Sequence, residues 1–170
     1  MHDGEMRATT PSTADRAIAV IAAAREAGKT ISVAESLTGG ALTAALVSVP
    51  GASDVVRGGV VAYLPEVKVR VLGVSEATLA SAGVVSEATA VEMARGARVL
   101  LRADIAVATT GAAGPEPHDG ASPGTVCVGA ADAVGEHART VRIEGERGAV
   151  SAGAVDAALD LLVERLDEFR

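Results

Sequence analysis

The hydrophobic positions of this chain alternate along its length between helix-like and strand-like spacing. Segments with apolar residues three and four apart predict helices, and short apolar or alternating runs predict strands. Ser12 or Thr13 can cap the first helix, and Gly28 can end it. The pattern predicts helices over about 13–27, 38–47, 86–101 and 151–168, a further helix beginning at Pro65, and strands over about 31–34, 55–64, 104–109, 125–131 and 137–143. Such alternation is typical of a layered α/β sandwich.

No repeat, low-complexity block or internal linker interrupts this pattern. We therefore expect residues 13–170 to form a single domain, preceded by a flexible tail over residues 1–12. The tail is polar and lacks the apolar core of a signal peptide, and no apolar run approaches the roughly 20 residues of a membrane span. A cytoplasmic protein without a membrane partner is the expectation.

The composition bounds the possible partners. Hydrophobic residues make up 49% of the 170 positions, and the chain has one Phe, one Tyr, no Trp and a net charge of -7. Few aromatics are available to stack on bases, and an acidic chain suits phosphate backbones poorly. These features argue against a nucleic-acid partner and favour a small-molecule substrate.

The metal-ligating residue types are sparse. Cys127 is the only cysteine, and the three histidines, His2, His118 and His137, lack ligand spacing. An internal disulfide is impossible with one cysteine, and a zinc site requires clustered ligands. We expect neither a metal nor another cofactor.

The candidate chemistry lies in two neighbouring segments. Ser36 stands on the glycine-rich turn Glu35–Gly40, and Tyr63 precedes Lys68, one of only two lysines, by five residues. A desolvated lysine can act as a base where arginine cannot, so Ser36, Lys68 and Tyr63 suggest nucleophilic hydrolysis without histidine or metal. The free N–H groups of the first helical turn, near Thr38 to Gly40, would stabilise an oxyanion. The alternative is an ordinary strand-to-helix turn or a phosphate cradle, with a solvated lysine.

A third segment, 109–115, also ends a predicted strand. Its Thr-Gly-rich turn offers hydroxyl and N–H groups for phosphate or ribose oxygens, although many such loops only connect strands. The acidic stretch Glu116–Asp119 that follows either holds a substrate cation or is a solvated loop tip.

Taken together, these motifs resemble a known family. The ordered motifs Ala-Glu-Ser-Leu-Thr-Gly-Gly, Tyr with Lys five residues on, Thr-Gly-Ala-Ala-Gly-Pro and Pro-Gly-Thr-Val are similar to those of the C-terminal domain of CinA, the competence/damage-inducible proteins. The resemblance runs from about Ile31 to Leu166. It implies a three-layer α/β/α sandwich with a mixed, mostly parallel sheet, and a homo-oligomer, with a dimer favoured.

Standalone members of that family include nicotinamide-nucleotide amidohydrolases. The resemblance therefore implies hydrolysis of nicotinamide mononucleotide to nicotinate mononucleotide and ammonia, in pyridine nucleotide salvage. It implies that Ser36 is the nucleophile, Lys68 its general base and Tyr63 a proton relay. The substrate-contacting positions that it implies are Glu35, Thr38, Gly39, Gly40, Thr110, Gly111, Gly114 and Arg147.

The chain departs from the family pattern near the site. Leu64-Pro65 replaces a small polar pair after Tyr63, and the loop Glu116–Asp119 carries less glycine than usual. These departures leave two alternatives open, a catalytically weak or inactive nucleotide-binding module and an amidase that acts on a related amide.

Overall fold

The computed structural model describes residues 10–170, which form a five-stranded sheet between two layers of helices. The helices α1, α2 and α6 pack on one face of the sheet, and α3, α4 and α5 lie on the other. The strands are β1 Ile31–Glu35, β2 Val56–Val61, β3 Ile105–Gly111, β4 Thr125–Ala131 and β5 Glu136–Arg142. The α-helices are α1 Thr13–Ala27, α2 Ala41–Val47, α3 Pro65–Leu72, α4 Glu76–Ala82, α5 Glu87–Leu100 and α6 Arg147–Asp167, with a short 3-10 turn at Ala52–Asp54.

The sheet has the strand order β2-β1-β3-β4-β5. β1 pairs in parallel with β2 and β3, and β4 pairs antiparallel with both β3 and β5. Only β4 therefore runs against the other four strands. The predicted α/β/α sandwich with a mixed, mostly parallel sheet is confirmed.

Small side chains let the layers approach closely. Gly96 in α5 faces the end of α3, where an added Cβ would lie 1.9 Å from the carbonyl oxygen of Leu72. Gly129 in β4 faces the α5 backbone, where an added Cβ would lie 2.5 Å from the carbonyl carbon of Ala90. No larger residue fits at either contact, so Gly129 sets how closely α5 approaches the sheet, and Gly96 sets how closely α3, the helix that carries Lys68, approaches α5.

Some predicted boundaries were wrong. Helix α2 begins at Ala41 rather than Thr38, because Gly39 and Gly40 adopt left-handed conformations with φ of 59° and 104°. Helix α6 begins at Arg147, four residues before the predicted start at Ser151. The short helix α4 was not predicted.

The N-terminal end of the domain begins as the sequence indicates. Ser12 accepts a hydrogen bond from the N–H of Asp15, whose carboxylate accepts one from the N–H of Ser12, which closes a capping box. Residues 1–9 of the predicted tail lie outside the described residues. Among residues 10–170, no helix is long and apolar enough to cross a bilayer. The cytoplasmic location stays a prediction.

Candidate active site

A pocket opens at the carboxyl ends of the three parallel strands. Ser36 follows β1 directly, Tyr63 follows β2 and Gly111 ends β3, and all three line the pocket together with Gly114 and Arg147. Sites in α/β sheets gather at this edge because the loops that leave the strand ends converge there. The structure thus brings five of the predicted site residues to one concave surface.

Lys68 lies immediately behind Ser36. Its side chain is fully buried, and its Nζ is 2.8 Å from the Ser36 Oγ, 2.6 Å from the carbonyl oxygen of Ala62 and 3.2 Å from that of Tyr63. Pro65 begins α3 and Lys68 comes one turn later, so the helix directs this side chain back towards the end of β1. The predicted pairing of Ser36 with Lys68 is present.

The surroundings of Lys68 favour its neutral form. Burial lowers the pKa of the lysine from 10.5 to about 8. Within residues 10–170 no carboxylate forms an ion pair with it. A neutral amine has two N–H donors, which the two carbonyls can accept, and its lone pair then faces the Ser36 hydroxyl. The geometry is that of a base poised to remove a proton.

The predicted oxyanion donors are only partly available. The N–H of Gly39 donates to the carbonyl of Ser36 at 3.2 Å, and that of Gly40 donates to the carboxylate of Glu35 at 3.0 Å. In the described part of the chain, no acceptor lies within hydrogen-bond range of the N–H groups of Leu37 or Thr38. Leu37 lines the pocket beside Ser36, and Thr38 follows it in the same turn without lining the pocket, so the N–H of Leu37 is the first candidate and that of Thr38 the second.

Glu35 has a different position from the predicted substrate contact. It is fully buried, and its two carboxylate oxygens accept five hydrogen bonds at 2.6–3.0 Å. The donors are the N–H groups of Gly40, Leu42 and Thr43 and the hydroxyls of Thr38 and Thr43. The carboxylate therefore occupies the start of α2, where the sequence suggested an anion cradle. Glu35 is a positioning residue for the turn that presents Ser36.

The threonine side chains at this edge are used for contacts within the protein and do not line the pocket. The Thr38 hydroxyl donates to Glu35, so the Thr109 hydroxyl donates to Thr38 at 2.9 Å. The Thr110 hydroxyl donates to the carbonyl of Val84 at 2.9 Å. Thr38 and Thr110 are nearly fully buried. Both hydroxyl protons are used within the protein, so any contact of Thr38 or Thr110 with a substrate would come from the backbone, and these contacts stay predictions.

Tyr63 and Arg147 form a second pair at the pocket mouth. Arg147 donates to the Tyr63 phenol oxygen at 2.9 Å and to the Gly114 carbonyl at 3.1 Å. Tyr63 is 56% exposed. Because the phenol accepts from Arg147, its own proton is free to be donated into the pocket. Arg147 thus orients the tyrosine in addition to bringing a positive charge to the pocket.

Sequence reasoning missed two contributors to this site. Thr43 supplies two of the five donors to Glu35, and an added Cβ on Gly59 in β2 would lie 2.0 Å from its hydroxyl. A buried acidic residue followed by a Gly-Gly helix start is the signal that could have indicated this cap. Residues 115–118 also line the pocket, and they include Glu116 of the acidic stretch for which the sequence left a substrate-cation role open.

Metal chemistry has no visible support in the described region. Among residues 10–170 no group of three or more His, Cys, Asp and Glu side chains is placed to hold a metal ion. That the protein works without a metal or cofactor stays a prediction.

Comparisons with known proteins give consistent matches. A family model described as the CinA C-terminal domain matches residues 14–166. A CinA-like protein of Frankia casuarinae is 48% identical over 133 residues, which cover 78% of this chain and 31% of that relative. A CinA-like protein of Shewanella sediminis is 44% identical over a region that covers 82% of this chain and 33% of that relative. The chain thus spans about a third of the length of these relatives.

Solved structures match over nearly their whole length. The competence-damaged protein (CinA) superfamily protein from Enterobacter cloacae has a TM-score of 0.92 and 34% identity, with 98% of this chain and 99% of that chain covered. The competence damage-inducible protein A from Klebsiella pneumoniae has a TM-score of 0.90 and 36% identity, with 94% of this chain and 100% of that chain covered.

Proposed function

Because this chain belongs to the CinA C-terminal domain family, we propose that it is an amidohydrolase that converts nicotinamide mononucleotide to nicotinate mononucleotide and ammonia. The observation that carries the proposal is the 2.8 Å contact between the buried Lys68 Nζ and the Ser36 Oγ at the pocket. A serine hydroxyl needs a neighbouring base to attack an amide, and a lysine with a pKa of about 8 can serve as one. The proposed setting is cytoplasmic pyridine nucleotide salvage.

The first half of the reaction forms an ester with the protein. Neutral Lys68 takes the Ser36 proton as the Oγ attacks the carboxamide carbon, and the carbonyl oxygen becomes an oxyanion. The N–H groups of Leu37 and Thr38 stabilise that oxyanion, a contribution of roughly 3–4 kcal/mol for a single donor in other hydrolases. The C–N bond then breaks, and ammonia leaves with the proton that Lys68 took from Ser36, which Tyr63 helps to deliver, so Lys68 is neutral again.

The second half of the reaction hydrolyses the ester and regenerates the free Ser36 hydroxyl. A water molecule attacks the ester carbon and gives a proton to Lys68, which passes it to the departing Ser36 oxygen. The products are nicotinate mononucleotide and the free hydroxyl. Arg147 supplies the positive charge for the substrate phosphate, and the backbones of Gly111 and Gly114 form the wall beside it.

An ammonia-release assay with nicotinamide mononucleotide tests the proposal. Ser36→Ala and Lys68→Arg should each abolish release while the circular dichroism spectrum is unchanged. Lys29→Arg is a matched control, because Lys29 is the only other lysine and does not line the pocket. Full turnover in either site variant would refute the mechanism.

A second candidate is a nucleotide-binding or regulatory module with weak or no catalysis. Leu64 and Pro65 favour it, because they line the pocket without side-chain hydrogen-bond donors. This candidate predicts calorimetric binding of the mononucleotide without ammonia. Release of ammonia from the mononucleotide that depends on Ser36 would exclude this candidate. Release of ammonia only from other amides would favour an amidase that acts on a different substrate.

We also propose that the chain forms a homodimer. An Ala/Val-rich domain with few aromatic side chains gains buried surface by self-association. Sedimentation equilibrium should give about twice the 16.8 kDa chain mass, and a single-chain mass would refute this proposal.

A further inference from the structure

One wall of the pocket is a hairpin formed by residues 115–121, called here the 115–121 hairpin. Asp119 and Gly120 adopt left-handed conformations, with φ of 50° and 76°. His118 and Ala121 exchange two backbone hydrogen bonds, at 3.0 and 2.9 Å, across this two-residue turn. An Asp-Gly pair suits such a turn because both positions need positive φ. The segment has a defined backbone although its side chains are exposed.

The tip of the 115–121 hairpin is anchored to the rest of the domain. The Asp119 carboxylate accepts a hydrogen bond from the N–H of Val84. An added Cβ on Gly83 would lie 2.5 Å from the same carboxylate oxygen, so only glycine leaves room for this contact. The carbonyl of Val84 accepts from Thr110 at the end of β3. The hairpin is therefore tied to the strand end beside Ser36, which favours a preformed wall over a solvated loop tip.

The hairpin brings a negative charge to a pocket that also contains a positive one. Glu116 and Arg147 both line the pocket with Ser36. Among the residues that the structure describes, Arg147 forms no ion pair with Glu116 or with any other carboxylate, and it donates instead to Tyr63 and Gly114. Two opposite charges that do not neutralise each other within one pocket suit a ligand that carries both signs.

We propose that Glu116 is a specificity-determining residue that selects substrates with a positively charged ring, while Arg147 receives their anionic group. The inference rests on the proposed function and adds to it a residue that recognises the ring cation of a zwitterionic substrate, meaning a quaternised pyridine ring joined to a phosphate. The carboxylate of Glu116 attracts the ring cation, and the 115–121 hairpin keeps that carboxylate at the pocket before the ligand arrives.

Calorimetry with three probes tests the role of Glu116 in a Ser36→Ala background, where the substrate persists. Nicotinamide mononucleotide carries both charges, nicotinamide riboside carries only the cation, and uridine 5′-monophosphate carries only the phosphate. Glu116→Gln should weaken the first two by about three-fold to five-fold, as expected for a partly exposed charge pair, and leave the third unchanged. Glu144→Gln removes an exposed carboxylate outside the pocket and should change none of the three.

The outcomes separate this inference from the proposed function. Equal weakening of all three probes, no weakening of the two cationic probes, or no binding by any probe overturns the role of Glu116. With Ser36 intact, Glu116→Gln should lower kcat/KM for ammonia release from the mononucleotide by the same factor. If the wild-type protein binds the cationic probes through Glu116 but releases no ammonia, the proposed function fails and the role of Glu116 stands.

Discussion

Two buried ionisable side chains flank Ser36, and the protein treats them in opposite ways. Glu35 and Lys68 are both fully buried, and neither has an ion-pair partner among the described residues. Glu35 is surrounded by five donors, and its two side-chain oxygens accept from all of them. Lys68 has three acceptors, of which one is the hydroxyl that it is proposed to deprotonate.

This difference separates a structural charge from a reactive one. Three main-chain N–H groups and two hydroxyls replace the water that Glu35 lost, and the carboxylate in return holds the turn. Burial lowers the pKa of Lys68, and no nearby charge compensates for this effect. The same degree of burial therefore gives rigidity at one residue and a proton acceptor at the other.

The largest expected effect is the loss of catalysis on replacing Lys68. Lys68→Met removes the base and should lower kcat/KM for ammonia release by about 10³-fold or more, within the range for general bases. Because a buried amine is replaced by an apolar chain of similar length, the free energy of unfolding should not fall. The ammonia assay measures kcat/KM, and denaturant titration measures the free energy of unfolding. An active Lys68→Met protein would show that Lys68 is not the reactive member of the Glu35 and Lys68 pair.

Glu35→Ala should mainly lower the free energy of unfolding, whereas Lys68→Met should mainly lower kcat/KM. It leaves the N–H groups of Gly40, Leu42 and Thr43 without their acceptor, which should cost about 3–5 kcal/mol in the free energy of unfolding. Denaturant titration measures this value, with Glu144→Ala as an exposed control. A change below about 1 kcal/mol would show that the carboxylate does not hold the turn.

The pH dependence of activity should follow Lys68. With a pKa of about 8, roughly one-tenth of the lysine is neutral at pH 7. We expect kcat/KM to rise nearly ten-fold per pH unit below 8 and to level off above it. A profile without a change in slope near pH 8 would remove Lys68 from the role of base.

The same pKa shift predicts a pH-dependent stability difference. The folded pKa of Lys68 lies below its unfolded value of 10.5, so the unfolded chain binds more protons between pH 8 and 10.5. The destabilisation, about 3 kcal/mol, is fully present below pH 8 and disappears as the pH rises through this window. Between pH 8 and 10.5 the free energy of unfolding of the wild-type protein should therefore rise by about 3 kcal/mol relative to that of Lys68→Met, and a constant difference would contradict the shift.

The smallest expected effect concerns the support of Glu35. Thr43→Val removes one of its two hydroxyl donors, at 2.6 Å, and preserves the N–H of residue 43. The loss should be about 1 kcal/mol in the free energy of unfolding, with a modest decrease in kcat. A decrease in kcat as large as that of Lys68→Met would contradict the assignment of a structural role to Glu35 and a catalytic role to Lys68.

The three layers and the pairing of Ser36 with Lys68 could be predicted from the sequence. The end of β1 places Ser36, and Pro65 at the start of α3 places Lys68, so both positions follow from local sequence. The sequence could not assign Glu35, since its five donors follow from the left-handed Gly39 and Gly40, which turn α2 towards the carboxylate. Nor could it place Arg147 against Tyr63. That contact joins the start of α6 to the end of β2, 84 residues away in the chain.

The most direct test is the titration of the Lys68 amine itself. With only two lysines, protein labelled with isotopes at lysine gives two side-chain NMR signals, and Lys29→Arg assigns them. We expect the Lys68 signal to titrate with a midpoint near 8. A midpoint near the ordinary lysine value of about 10.4 would contradict it, because Ser36 would then face a permanently charged neighbour at neutral pH.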